Sequence, residues 1–139
     1  VTSDRGLVVQ GDMLIDDIEK ENIESIILPG GSGHKNLAKS KKVTDLLTYA
    51  YSENLYIFAI CASPSILGKL GLLNGKNATC YPGFEKHLKG AKHTGEDVTV
   101  DGKIITSKGP GTAHKFAYEI VSTLKDKELA DTLKNAMIF

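Results

Sequence analysis

The most constraining feature of this sequence is the alternation of short apolar runs with amphipathic stretches. Residues 25–28 and 55–60 are apolar on both faces, which is typical of strands inside a parallel sheet. Between them, residues 37–51 carry apolar side chains at helical spacing, from Val43 to Ala50. Alternating strands and helices form right-handed βαβ units. The sequence therefore predicts an α/β fold with a mainly parallel sheet and helices on both of its faces.

The second half of the chain predicts a hairpin followed by helices. Asp101-Gly102 separates residues 97–100 from residues 103–107, and this dipeptide is a strong signal for a two-residue hairpin turn. Thr112 is placed to cap the next helix, and a last helix is predicted from about Lys127.

The N-terminal part gives weaker signals. Residues 7–9 predict a strand, and Asp12 is placed to cap a short helix. The length of 139 residues predicts one domain, which spans residues 1–139.

The composition argues against several classes of function. Seventeen basic and seventeen acidic residues cancel, and Arg5 is the one arginine, so a nucleic-acid interface is not expected. The longest apolar stretch, residues 55–62, is far shorter than the roughly 20 residues of a membrane span. Two cysteines are too few for a disulfide framework or a structural zinc site, so we expect no metal and a reducing, cytoplasmic setting. The polar N-terminus is unlike a secretory signal.

Cys61 is the candidate nucleophile. It lies between an apolar strand and a helix that Ser63 and Pro64 would begin, as in a nucleophile elbow. The sharp turn requires small residues two positions either side, and Ala59 and Ser63 satisfy this requirement. The N-terminus of the following helix favours a thiolate. The alternative interpretation is a small, buried structural cysteine.

Backbone N–H groups near Cys61 could stabilise an oxyanion. Gly30 and Gly31 follow the neighbouring strand, and Ala62 follows the cysteine itself. An ordinary strand-to-loop turn is the alternative for the two glycines. The glycine-rich segments lack the spacing of a dinucleotide fingerprint or a phosphate loop, so no cofactor is predicted.

The remaining candidates are two histidines and the second cysteine. His34 follows the glycine loop and His114 opens a helix, so either could act as a base, although a solvated surface position is the simpler interpretation for both. Cys80 is interpreted as a buried structural thiol, with redox coupling to Cys61 as the alternative.

Four ordered motifs together resemble one known family. They are ILPGG at residues 27–31, AICASP at 59–64, ATCYPGFE at 78–85 and ITSKGPGT at 105–112. In this order they resemble the DJ-1/ThiJ/PfpI superfamily, and within it the DJ-1/YajL-like branch. The resemblance covers essentially the whole chain.

The resemblance implies a flavodoxin-like three-layer sandwich and a homodimer. It implies that Cys61 is an oxidation-sensitive elbow cysteine bordered by Gly30 and Gly31. Tyr81, Pro82, Gly109 and Pro110 fall in the motifs expected to surround the pocket. Tyr81 stands where the animal branch has a histidine, so a cysteine–histidine pair is not expected there.

The resemblance also implies a missing segment. The family begins with a strand–helix–strand unit that carries a glutamate near the elbow cysteine, whereas residues 1–9 resemble the third strand and its approach. We therefore expect an N-terminally truncated fold, with the absent strand in the middle of the sheet beside the strand that leads to Cys61. The missing piece would be cleaved, supplied as a separate fragment, or replaced by a swapped partner.

Two functions follow from the resemblance. The first is cofactor-independent glyoxalase or deglycase chemistry of Cys61 on small reactive carbonyl compounds in stress protection, with low activity expected without the glutamate. The second is a non-enzymatic redox-sensing or chaperone-like role, in which an oxidant modifies Cys61. The older family label, thiazole monophosphate biosynthesis, finds no support in these residues, because no phosphate loop is present.

Overall fold

The computed structural model describes residues 1–3 and 5–138, and its strands and helices alternate along the chain. The strands are β1 (Ser25–Leu28), β2 (Tyr56–Ile60), β3 (Asn77–Ala78), β4 (Lys92–His93), β5 (Val98–Asp101) and β6 (Ile104–Ser107). The α-helices are α1 (His34–Lys39), α2 (Lys41–Ser52), α3 (Pro64–Lys69), α4 (Ala113–Leu124) and α5 (Lys127–Ala136). Single 3-10 turns occupy Ile15–Asp17, Lys20–Asn22, Glu85–His87 and Pro110–Thr112.

The main sheet of the described residues has four strands in the order β1-β2-β6-β5. β1 pairs with β2 and β2 pairs with β6 in parallel, while β5 pairs with β6 in antiparallel fashion through the hairpin predicted at Asp101-Gly102. β3 and β4 form a second, two-stranded sheet. The predicted α/β fold with a mainly parallel sheet is confirmed.

Alternate residues of β2 face opposite hydrophobic cores. Ile57 and Ala59 belong to the larger core, which also contains Leu47 of α2 and Leu67 of α3. Phe58, on the other face, packs edge-on against Phe116 of α4, with ring centroids 6.3 Å apart. Helices therefore cover both faces of the sheet, and β2 is buried between them.

The position expected for the absent strand is wrong. β2, the strand that leads to Cys61, already has β1 on one side and β6 on the other. The edge without a partner in the described part of the chain is the outer edge of β1. Ile27 of β1 is 50% exposed, although its neighbour across the pair, Phe58, is fully buried. β1 is thus an edge strand with one uncovered face here.

Two local predictions near the N-terminal half also differ from the structure. Residues 7–9 are exposed and form no strand, with only an isolated bridge between Thr2 and Val8. The helix predicted over residues 37–51 is divided at Ser40, whose extended backbone ends α1 and whose hydroxyl accepts the N–H of Val43 at 3.3 Å to begin α2. Within the described ranges, no helix combines the length and apolar character needed to cross a bilayer.

Candidate functional site

Cys61 directly follows β2 and has a left-handed backbone conformation. Its φ of +66° is rare for a residue with a side chain. Two hydrogen bonds hold its backbone there: its N–H donates to Ser107 O at 2.9 Å, and its carbonyl accepts the N–H of Tyr81 at 2.8 Å. The thiol is half-buried. This is the geometry of a nucleophile elbow, in which a strained turn presents one side chain at the end of a strand.

Gly30 packs directly against Cys61. A Cβ atom at position 30 would lie 2.5 Å from Cys61 Cβ and 3.2 Å from Sγ. No other residue fits there without movement of the backbone. Gly31 follows with a φ of +81°, another conformation that favours glycine. Of the two glycines predicted beside the thiol, Gly30 is therefore in contact with Cys61, and Gly31 is the next residue of the same loop.

Two side chains fix the carbonyl groups of the glycine loop. The Ser63 hydroxyl donates to Pro29 O, and His34 Nδ1 donates to Gly31 O at 2.8 Å. Because the N–H and C=O of a trans peptide point in opposite directions, these bonds also set the direction of the neighbouring N–H groups. Ser63 was predicted to cap α3, but its side chain makes no cap hydrogen bond. His34 is buried and packs edge-on against Phe84, so its predicted solvated position is wrong.

Three backbone N–H groups next to Cys61 in the chain or on the glycine loop have no protein acceptor. Among the described residues, those of Gly30, Gly31 and Ala62 donate to no protein oxygen. Unpaired N–H groups at the carboxyl end of a strand could bind developing negative charge on a substrate oxygen.

Tyr81 and Gly109 contact each other on the opposite side of the elbow. A Cβ atom at position 109 would lie 3.1 Å from Tyr81 Cδ2, so the glycine allows the ring to approach. Tyr81 is 44% exposed, and Pro82 and Pro110 are also exposed. Tyr81, Pro82 and Pro110 therefore lie at the surface near the elbow, whereas Gly109 is buried beneath the tyrosine ring.

The turn before α4 is held by Thr112. Its hydroxyl exchanges a hydrogen bond with the Ser107 hydroxyl at 2.7 Å and accepts the N–H of Gly109 at 3.1 Å. The predicted capping of α4 by Thr112 is wrong, because that side chain makes no cap hydrogen bond to the helix. His114 is exposed in the first turn of α4, as predicted for a solvated histidine.

Cys80 has an environment unlike that of Cys61. It is 1% exposed and belongs to the larger core. Burial first, then the Glu85 carboxylate and then Cys61, raise the pKa of the Cys80 thiol from 9.0 to about 11. The interpretation of Cys80 as a buried thiol is confirmed.

The described residues supply neither a set of metal ligands nor a carboxylate bonded to the Cys61 thiol. Their histidine, cysteine and acidic side chains nowhere gather as a group of three that could hold a metal ion. No acidic side chain within residues 1–3 and 5–138 is hydrogen-bonded to the Cys61 thiol. A groove beside the glycine loop is lined by Ser3, Arg5, Gly30 and Gly31. Gly30 therefore lines this groove and also packs against Cys61.

Sequence reasoning missed the bonds that support the elbow. The links from Ser63 to Pro29 O, from Cys61 N–H to Ser107 O and from Tyr81 N–H to Cys61 O join residues more than fifteen positions apart. A local sequence pattern cannot predict such contacts, since they depend on how the strands are ordered in the sheet.

Several known proteins are similar to this chain. Protein DJ-1 homolog B of Arabidopsis thaliana is 37% identical over 140 residues, which cover 99% of this chain and 32% of the plant protein. A glutathione-independent glyoxalase of Caenorhabditis elegans is 34% identical, with 93% of this chain and 70% of the relative covered. A deglycase of Pyrococcus abyssi is 28% identical, with 90% and 76% covered.

The fold matches a solved structure closely. The crystal structure of Drosophila melanogaster DJ-1beta superposes with a TM-score of 0.92 at 32% identity, covering 99% of this chain and 76% of the fly chain. The chain thus spans about a third of the plant relative and about three quarters of the fly protein. The model of the DJ-1/PfpI family matches residues 1–123, and the chain therefore belongs to the DJ-1/PfpI family.

Proposed function

We propose that Cys61 is the nucleophile of a cofactor-independent reaction on small reactive carbonyl compounds, with 2-oxoaldehydes such as methylglyoxal as the substrate class. The observation that carries this proposal is the strained backbone of Cys61, with φ at +66° and Gly30 packed against its side chain. Strain at one residue of a buried scaffold is typical of a position selected for chemistry. The glyoxalase and deglycase among the relatives support the same class of reaction.

The reaction would proceed through a covalent adduct. The Cys61 thiolate adds to the aldehyde carbon, and the new alkoxide is held by the N–H groups of Gly31 and Ala62. A proton then moves from the former aldehyde carbon to the neighbouring carbon, which converts the hemithioacetal into a thioester. Water hydrolyses the thioester to a 2-hydroxy acid and regenerates the thiol. The substrate supplies both the oxidised and the reduced carbon, so no external oxidant or reductant takes part.

The proton transfer needs an acid–base group close to the adduct. His34 already donates Nδ1–H to Gly31 O, which gives it a positioning role in the glycine loop. The family resemblance implies a glutamate for this proton transfer. We therefore expect turnover to be slow unless a carboxylate is held beside the adduct.

We also propose that a further strand of the same protein pairs with β1. The outer edge of β1 has no partner among the described residues, and Ile27 beside it is half exposed. Unpaired strand edges readily add another strand. The segment that follows this strand would carry the glutamate that the resemblance implies. We also propose that the protein forms a homodimer.

A second candidate function is a redox-responsive role in stress protection. The contrast between the two thiols favours it, since Cys61 is partly accessible whereas Cys80 is buried with a raised pKa. A peroxide would then oxidise Cys61 selectively. Free thiols of this kind stay reduced in the cytoplasm, which is the compartment we propose for either function.

The deciding experiment compares lactate formation from methylglyoxal by the unmodified chain, Cys61→Ala and Cys80→Ala. Turnover should be lost in Cys61→Ala and kept in Cys80→Ala. Equal rates in all three proteins would show that the thiol is not the nucleophile. No lactate from any of them, together with selective Cys61 oxidation by peroxide, would favour the redox role.

A further inference from the structure

The two cysteines lie on segments joined by a backbone hydrogen bond. Tyr81 N–H donates to Cys61 O at 2.8 Å. Cys80 directly precedes the donor residue, so the backbones of the two cysteines meet at this bond. The covalent geometry on either side of a 2.8 Å bond keeps their Cα atoms within about 8 Å of each other. This range includes the roughly 4.4–6.8 Å that disulfides span.

The electrostatics of Cys80 also indicate that the thiols are close. The charge of Cys61 is one of the causes, after burial and the Glu85 carboxylate, that raise the pKa of Cys80. Two sulfur atoms must lie near each other for one charge to oppose the other's ionisation. Oxidation of Cys61 to a neutral sulfenic acid would remove this opposition.

The difference in exposure gives the two thiols different access to an oxidant. Cys61 is half-buried at the elbow, while Cys80 is 1% exposed in the core. A dissolved peroxide can therefore reach Cys61 first, and Cys80 can be oxidised only through Cys61. This order is that of a peroxide-reacting cysteine and a resolving cysteine.

We propose that Cys61 and Cys80 form a reversible intramolecular disulfide after a hydroperoxide oxidises Cys61. The proposal needs Cys61 to be accessible, but it does not depend on turnover of a carbonyl compound.

The Cys61 thiolate attacks the O–H oxygen of the hydroperoxide and the O–O bond breaks. That OH stays on the sulfur as the sulfenic acid, and the departing alkoxide or hydroxide takes a proton from solvent and leaves as alcohol or water. The Cys80 sulfur then attacks Cys61 Sγ, and the Cys80 proton leaves with the sulfenic hydroxyl group as water. The bond requires rotation about the Cα–Cβ bonds of both residues, so that the sulfurs reach the bonding distance of about 2.0 Å. An external dithiol reduces the bond and is itself oxidised to a disulfide.

Such a bond would protect the elbow. Without a resolving thiol, a sulfenic acid is oxidised further to the irreversible sulfinic acid. With one, Cys61 is stored in a form that a thiol reductant restores.

The test uses the unmodified chain treated with one equivalent of hydrogen peroxide, then alkylated, digested with trypsin and measured by mass spectrometry without reduction. Cleavage after lysine places Cys61 in residues 43–69 and Cys80 in residues 77–86. We expect these two peptides to be linked, with a mass lower by two hydrogen atoms than their sum. Dithiothreitol should separate them.

Variants at position 80 provide the second measurement. With excess peroxide, Cys61 sulfinate should accumulate at least about fivefold faster in Cys80→Ala and in Cys80→Ser than in the unmodified chain. Cys80→Ser keeps the size of the buried side chain and covers the case in which Cys80→Ala does not fold. Equal sulfinate rates with no linked peptide would overturn the proposal, as would a linkage found only between two copies of the chain. Neither readout involves a carbonyl substrate, so failure of the carbonyl activity would leave this test intact.

Discussion

Gly30 and Cys61 are in such close contact that position 30 has no room for a side chain. A Cβ atom there would lie 2.5 Å from Cys61 Cβ, closer than two such atoms approach in proteins. The thiol and the glycine loop are therefore one packed unit, and a change in either moves the other.

Gly30→Ala should displace Cys61 or the loop. Overpacking of this kind costs about 1–3 kcal/mol of stability, and the rate of Cys61 alkylation by iodoacetamide should change with it. Gly33→Ala in the same loop is the matched control, because a Cβ there meets nothing within 4 Å. Thermal unfolding and peptide-resolved alkylation check both variants, and equal effects at positions 30 and 33 would contradict the expected contact.

The left-handed backbone of Cys61 predicts an unusual order of stabilities. With φ at +66°, Cys61→Gly should be more stable than Cys61→Ala by about 1 kcal/mol, because glycine adopts this conformation without strain. At Cys80, whose φ is not positive, the order should be reversed, since glycine there only adds freedom to the unfolded chain. Urea unfolding of the four variants measures this. If Cys61→Ala were instead more stable than Cys61→Gly, as expected at Cys80, the elbow would store no strain.

Ser63→Ala should loosen the contact between the turn before α3 and the glycine loop. It removes the hydrogen bond to Pro29 O, which costs about 1 kcal/mol and frees the glycine loop that borders Cys61. Ser65→Ala is the control, because Ser65 is equally buried but donates to Ala62 O at 2.6 Å, within its own helix start. Both variants should lose stability, while only Ser63→Ala should alter the alkylation rate of Cys61. An unchanged rate in Ser63→Ala would show that this bond does not position the loop.

The raised pKa of Cys80 predicts a loss of stability at alkaline pH. The folded state holds the proton up to about pH 11, whereas the unfolded chain releases it near 9.0, so the folded state binds more protons between these values. The contribution of Cys80 is therefore complete below pH 9.0 and is lost as the pH rises through 11, by up to about 3 kcal/mol. Urea unfolding across this range should show a steeper decline for the unmodified chain than for Cys80→Ala. Parallel curves would contradict the shift.

Much of the fold could be predicted because its signals are local. The runs at residues 25–28 and 55–60 and the Asp101-Gly102 turn each depend on a few adjacent residues, and the structure has strands and a hairpin there. Residues 7–9 have the same β-branched character but form no strand, because no neighbouring strand pairs with them in the described part of the chain. A segment with strand-forming residues becomes a strand only when another strand pairs with it.

The residues at the thiol could be predicted from the sequence, but the side chains that hold the loops around it could not. Small residues around Cys61 and glycines after β1 follow from the steric needs of an elbow, so Cys61, Gly30 and Gly31 could be named from the sequence. The burial of His34 and the role of Ser63 could not, because each depends on a contact with another loop across the sheet edge. The order of strands, which decided where the open edge lies, is likewise a long-range property.

The alternating burial of β2 makes the chain intolerant of insertions and deletions in this segment. Adding or removing one residue there would exchange the two faces, so that Phe58 would point into the space filled by Ile57 and Ala59. It would also move Cys61 out of reach of both Ser107 O and Tyr81 N–H. Insertions and deletions are therefore tolerated only in places such as the Gly102 turn. The number of residues between the two cores and Cys61 is fixed.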